Sequence, residues 1–271
     1  MNYQTFIPNR HLSKYIKCYW SLENSSKHAL LSKERIFPDG CLELIFHYGD
    51  LFKNYNAERT YELMPRSFIY GQLKGFIDIE ATGSMGIFSI RFQPNGLKPF
   101  IDCDTNAVTG KILSVFDCWG KDGDVLEDKI LNALSNKHRI VILESFLLNK
   151  LKKHHEVDAV VEHCVNLIVK NEGNINIDKL AAHLNIGRRH LERKFMSTVG
   201  ISPKMFCRIT RFQHTLSLIV NGQFKNFTAI AHGSGFYDQA HFIKDFGEFT
   251  GLNPSQFIAE KFPLVKYFCQ E

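Results

Sequence analysis

Between Arg188 and Arg211 the chain carries seven basic residues, Arg188, Arg189, Arg193, Lys194, Lys204, Arg208 and Arg211, against one acid, Glu192. The formal net charge of all 271 residues is only +5, so this positive charge is local. A stretch of that kind suits a polyanion better than a small substrate. Arg188, Arg189, Glu192 and Arg193 fall on the face opposite Leu191 and Phe195. Arginine bonds guanine in bidentate fashion and glutamate accepts from cytosine, so such a face has the chemistry to tell bases apart. The alternative is that the arginines only hold phosphates and that Glu192 only pairs with one of them. A second segment, starting at Asp238, presents Gln239, Ala240, Ile243 and Lys244. Gln239 has the groups to read adenine, and Ala240 or Ile243 to touch a thymine methyl. Lys204, Arg208 and Lys244 are candidate phosphate contacts, with a merely solvated charge as the alternative for each.

Other chemistry finds little support. The seven cysteines are scattered without a CxxC pair, which argues against a disulfide framework or a structural zinc site and for buried free thiols. A metal-dependent cupin-type enzyme ahead of the basic region is the rival reading. Such sites need two histidines one residue apart with a further histidine and carboxylate, yet His47 stands alone in its strand and no HxH precedes residue 154. His154 and His155 are adjacent in a polar stretch and are hard to aim at one metal. No P-loop or GxSxG occurs. His190 and His241 read as structural or phosphate-facing. No catalytic residue, metal or cofactor is expected.

The elements that must position the basic face come in two kinds. The first hundred or so residues alternate like strands, as in Cys41–Phe46, 76–81 and 86–92, with turn signals at Phe37-Pro38-Asp39-Gly40 and Gln93-Pro94-Asn95-Gly96. Residues 111–151 then change period. Leu126, Ile130, Leu131 and Leu134 mark one amphipathic helix, and Ile140, Leu143, Phe146, Leu147 and Leu151 a second. Lys152–Glu156 reads as a connector, and everything beyond it as helix. Phe37, Tyr48, Tyr70, Phe88 and Phe92 are aromatic at strand spacing, which suits plain core and, as the alternative, an apolar pocket.

The last third contains itself twice. At an offset of 50, Leu180 matches Ile230 and Ala181 matches Ala231. At 51, His190 matches His241, Phe195 matches Phe246, Gly200 matches Gly251, Pro203 matches Pro254 and Phe206 matches Phe257. Each unit predicts a helix, a tight turn and a second helix. Leu180, Ala181 and Leu184 form the inner face of the first helix, over about 177–184, and the turn Asn185-Ile186-Gly187 follows. Gly200 and Gly251 act as left-handed stops, and Ser202-Pro203 and Asn253-Pro254 start the next helices. Pro203 to Val220 reads as one helix, with Gly222 past its end. Its length, about 27 Å at 1.5 Å per residue, can hold two recognition helices about one DNA turn apart.

These residues resemble a known family. IAHGSGFYDQAHFIKDFGEFTGLNPSQF is similar to the C-terminal signature of the AraC/XylS transcription regulators, and LAAHLNIGRRHLERKFMSTVGISPKMF to that family's first helix-turn-helix. The resemblance covers about residues 157–260. It implies a seven-helix, monomeric DNA-binding unit joined to a variable sensing or dimerising domain, and it singles out Arg189, Glu192 and Arg193 as base readers. Gly187 departs from the serine N-cap of many members, at a cost of only a few tenths of a kcal/mol. HLSKYIKCYWSLE, RIFPDGCLELIF and GIFSIRFQPNG resemble an uncharacterised β-rich domain found before such units, for which analogy suggests a cupin-like barrel. The expected protein is thus α+β with two domains. Residues 1–151 form a β-rich, cupin-like sensing or dimerisation domain with trailing helices. Residues 156–271 form an all-α domain of two helix-turn-helix units joined by a linker helix. The expected partners are double-stranded promoter or operator DNA and RNA polymerase, with a small-molecule effector and a second copy of the chain as candidates. No apolar run nears the roughly 18 residues of a membrane span, and the N-terminus lacks a signal-peptide core, so a cytoplasmic location is expected.

Overall fold

The computed structural model describes residues 1–24, 33–56, 58–151, 158–260 and 262–265. The connector expected at Lys152–Glu156, with His154 and His155, lies outside the described residues, as does Cys269. Among the described residues ten strands precede the first α-helix and make two antiparallel sheets. The larger joins β1 (Asn2–Phe6), β2 (Ile16–Asn24), β4 (Glu43–His47), β7 (Ser67–Tyr70), β9 (Met85–Phe92) and β10 (Ile112–Ser114), in the order β1-β2-β9-β4-β7-β10. The smaller joins β3 (Glu34–Ile36), β5 (Phe52–Tyr55), β6 (Tyr61–Leu63) and β8 (Ile77–Ala81), in the order β3-β8-β5-β6. The runs at 41–46, 76–81 and 86–92 correspond to β4, β8 and β9.

All eight residues of β9 are buried, because the six-stranded sheet is covered on both faces. Side chains alternate across a strand, so Phe88, Ile90 and Phe92 point one way and Met85 and Ile87 the other. The first set packs against α2 (Lys121–Leu131) and α3 (Asn136–Leu151), which follow the short α1 (Val115–Trp119). The second set packs toward the smaller sheet. The same period puts Glu43, Ile45 and His47 of β4 beside Ser89 and Arg91 of β9 on the inner side. Leu134 departs from the expected helix: α2 ends at Leu131, and Leu134 is 97% exposed in the turn. The Ser135 hydroxyl accepts from the amide of His138 and starts α3 instead.

The described remainder is helical: α4 (Ala159–Lys170), α5 (Ile177–His183), α6 (Arg188–Val199), α7 (Pro203–Val220), α8 (Phe227–Gly233), α9 (Gln239–Thr250) and α10 (Pro254–Ala259). Their shared core reaches into the N-terminal part. Phe37, in the link between β3 and β4, meets the rings of Phe212, Phe257 and Phe262 at 6.3, 5.7 and 5.5 Å. Gln213 Nε2 of α7 donates to the Pro38 carbonyl at 2.7 Å. Leu264, at the far end of the chain, is buried in the core beneath the two sheets.

Of the five aromatics singled out in the sequence, Phe37 and Tyr70 line a cavity between the sheets. Phe88 and Phe92 are core on the opposite face, and Tyr48 packs against that same core. The cysteines are less uniformly buried than expected. Cys164 and Cys207 are buried, Cys18, Cys41 and Cys118 are half-buried, and Cys103 is exposed, because it sits in the loop between two short 3-10 turns.

Candidate nucleic-acid interface

The two repeats fold as two equivalent helix pairs, α5–α6 and α8–α9. In each, a small residue sits where the helices cross, Ala181 and Ala231, and both are buried. The intervening turn needs a left-handed residue in both copies, supplied by Asn185 (φ 51°) and Gly235 (φ 73°). At Gly235 a Cβ would come within 2.5 Å of Asn174, so the second copy needs glycine for space as well as for φ. Gly200 (φ 93°) and Gly251 (φ 72°) end α6 and α9 in the left-handed conformation. Ser202 accepts from the Met205 amide, and Asn253 with Gln256 forms a full capping box. Asp238 caps α9 through the His241 amide at 2.7 Å, whereas Gly187 opens α6 without a side-chain cap.

Leu191 and Phe195 are fully buried, and Arg188, Arg189 and Arg193 lie exposed on the other side of α6. The acids nearby have already engaged some of this charge. Arg188 bonds Asp178 at 2.8 Å and Glu192 at 3.1 Å, and these partners raise its pKa, Glu192 first. Glu192 is therefore paired with Arg188. Arg193 Nη2 lies 2.9 Å from His190 Nδ1. Lys194 turns back to Asp158 at 2.5 Å. Arg189 and Lys204 are exposed. On α9, Gln239, Ala240, Ile243 and Lys244 are all exposed, and the Gln239 Oε1 accepts from Thr228 at 2.7 Å.

Arg208 is placed elsewhere than expected. Its guanidinium holds Asp245 in bidentate fashion, at 2.9 and 3.2 Å, and reaches Glu248 at 2.5 and 3.1 Å. Asp245 is only 3% exposed. The ion pairs with Glu248 and then Asp245 raise the Arg208 pKa. Two carboxylates from α9 thus saturate a group read as a phosphate contact, and it ties α7 to α9. Arg211 is also drawn inward: burial lowers its pKa, and it lies over the Phe236 ring at 5.1 Å.

Sequence reasoning overlooked Tyr237. It is 88% exposed in the turn just before α9, beside the Gln239 face. A large exposed aromatic at a helix entry was a readable signal, masked by its apolar neighbour Phe236, which is core. Also unforeseen was the grip of the N-terminal domain on the far ends of both helices. Thr105 and Thr109 donate to the carbonyls of Ser197, in the last turn of α6, and of Gly200, its C-cap, at 3.0 and 2.6 Å. Arg35, held by Asp78, donates to the Thr250 carbonyl at 2.9 Å, and Phe76 packs against Gly251. The C-terminal ends of α6 and α9 are fixed to the β-domain. Their N-terminal ends, with Arg189 and Gln239, face outward.

Two helix pairs of the same build, joined by an 18-residue helix and each with an outward second helix, make a double helix-turn-helix. Residues 180–260 match the family described as a helix-turn-helix domain. Residues 4–114 match a domain of unknown function, DUF6597. The chain is 29% identical over 140 residues to the HTH-type transcriptional regulator MtrA of Neisseria gonorrhoeae, covering 48% of this chain and 46% of that one. It is 30% identical over 117 residues to the HTH-type transcriptional regulator GbdR of Pseudomonas aeruginosa, covering 43% and 30%. The chain spans about half the length, or less, of these curated relatives. Among solved structures, ToxT from Vibrio cholerae aligns over 96% of this chain and 98% of that one, at 14% identity and a TM-score of 0.49.

Proposed function

We propose that the protein is a sequence-specific DNA-binding transcription regulator in which α6 and α9 enter successive major grooves and the β-rich domain, residues 1–151, governs the DNA-binding domain, residues 156–271. The observation that carries this reading is the orientation of α6 and α9. Recognition helices read base edges from their N-terminal residues, and here those ends are free while the other ends are anchored. Arg189 is the foremost base reader, with Arg193 four residues on along the same face. Arg188 and Glu192 act as a pair that shapes this face. Gln239, Ala240 and Ile243 form the second, less polar reading face. Lys204 and Lys244 meet phosphates, and Arg208 braces α7 against α9. Such a regulator works in the cytoplasm at promoter or operator DNA beside RNA polymerase, under control of an effector or of self-association through the N-terminal domain. Among the described residues no three His, Cys, Asp or Glu side chains gather as a metal site, and no helix is long and apolar enough to cross a membrane.

Titrating variants against a site library at two salt concentrations tests the assignment. Arg189→Ala is expected to cost about 1–3 kcal/mol on the best site and to relax preference at one base pair. Lys204→Ala is expected to weaken all sequences alike and to flatten the salt slope by about one charge. If Arg189→Ala weakens every sequence equally, its role is electrostatic only. If neither variant alters binding to any DNA, the proposed interface is wrong.

A further inference from the structure

The turns of the two helix pairs differ by one residue, and the extra residue is Tyr237. Up to the left-handed position the copies keep an offset of 50, with Asn185 matching Gly235 and Ile186 matching Phe236. The amides of Ile186 and Phe236 donate to equivalent carbonyls, those of Ala181 and Ala231, at 3.1 and 3.0 Å. From the N-cap onward the offset is 51, since Gly187 opens α6 and Asp238 opens α9. Tyr237 fills the difference and has no counterpart in the first pair.

Its neighbours fix where it points. Phe236 is 5% exposed and packs edge-on against Phe242 and His241 at 5.4 and 5.5 Å. With Phe236 turned into the core, the next side chain along the turn is directed outward, and Tyr237 is 88% exposed. The backbone there is tied to the first turn of α9. The Tyr237 amide donates to His241 Nδ1 at 3.5 Å, and Asp238 caps the helix through the His241 amide at 2.7 Å. A large aromatic side chain is thus held in solvent beside Gln239 and Ala240, at the outward end of α9.

The position selects the chemistry. When a recognition helix lies in a major groove, its first residues reach the base edges. A residue ahead of the N-cap stands further out, at the lip of the groove, where the sugar-phosphate backbone runs. Bases in a duplex are stacked on one another, so the ring finds no free base face as it would on a single strand. The phenol hydroxyl is a donor, and tyrosine is among the side chains that bond phosphate oxygens. We propose that Tyr237 Oη donates a hydrogen bond to a phosphate at the edge of the second major groove and sets the register of α9 on the duplex. This rests on the function proposed above and adds to it a contact of a different kind from those of Lys204 and Lys244. A neutral donor displaces no condensed counterion, whereas a lysine does.

Titration of the full chain, Tyr237→Phe and Tyr237→Ala against a site library at two salt concentrations tests this, with Tm measured for each. Tyr237→Phe is expected to weaken every sequence alike, by about three- to tenfold, and to leave the salt slope as it is. Tyr237→Ala is expected to weaken binding at least as much. Both variants should keep the Tm of the unaltered chain, because an exposed side chain contributes little to stability. Unchanged affinity in both variants overturns the contact. A loss confined to sequences with one particular base pair makes Tyr237 a base reader and overturns the phosphate assignment. A lowered Tm with the same loss in Tyr237→Phe overturns it as well, in favour of a structural role. If the unaltered chain binds no DNA, the proposed function fails first and this contact with it, a result visible before any variant is compared.

Discussion

Asp245→Ala is expected to destabilise the protein by about 3 kcal/mol and to lower Tm by about 6–12 °C. Asp245 is 3% exposed, and its carboxylate takes two hydrogen bonds from Arg208, which is itself mostly buried between α7 and α9. Removing one partner of a buried pair leaves the other charge desolvated, and that penalty outweighs the attraction lost. Glu248 remains beside Arg208 and holds the cost at the low end of the range. Glu248→Ala is the control. Its side chain is 44% exposed, so water replaces the lost partner and the expected loss is below about 1 kcal/mol. Chemical denaturation of both variants checks the difference. Equal losses would show that burial at Asp245 is not the source of the effect. Because Arg208 ties the linker helix to the second recognition helix, Asp245→Ala should also weaken DNA binding more than Glu248→Ala does.

Phe37→Ala is expected to cost about 3–5 kcal/mol, the range for deleting a buried phenylalanine ring, and to act on the contact between domains. Phe37 belongs to the strand-rich half, yet it is 8% exposed within the helical core, among Phe212, Phe257 and Phe262. Calorimetry should show two transitions where the unaltered chain shows one, and hydrogen exchange should rise in α7 and α10. Phe37→Leu, which keeps most of the apolar volume, should retain the single transition. An unchanged transition in Phe37→Ala would mean that the two halves are not coupled through this ring.

The helical third was legible because its determinants are local. The caps at Ser202, Asn253 and Asp238, the stops at Gly200 and Gly251, and the buried pairs Leu191–Phe195 and Phe242–Phe246 all act within a few residues, and the twofold repetition checks each against its copy. The linker helix has the expected bounds, Pro203–Val220. Strand existence was legible around 41–46, 76–81 and 86–92, but strand order was not. The neighbours of β9 are β2 and β4, pairings across dozens of residues that no local pattern encodes. The same distance explains Arg208. Its partners Asp245 and Glu248 lie 37 and 40 residues away, so from sequence it looked like one more cation of a basic run. Phe37 and Leu264 read as ordinary apolar residues of their own segments, and only the fold shows that each is buried with the other half of the chain. The same holds for the cavity: the period of β4 puts Glu43 and His47 on one face, but which sheet they face is decided by β8 and β5.

Hydroxyl-radical footprinting with methylation interference, on the best site selected by the full chain, tests the central claim most directly. The account predicts two protected major-groove segments on one face of the duplex, about 10 base pairs apart, with the interference at the first lost in Arg189→Ala. A single protected segment, or protection confined to the minor groove, would contradict the placement of α6 and α9 in successive major grooves.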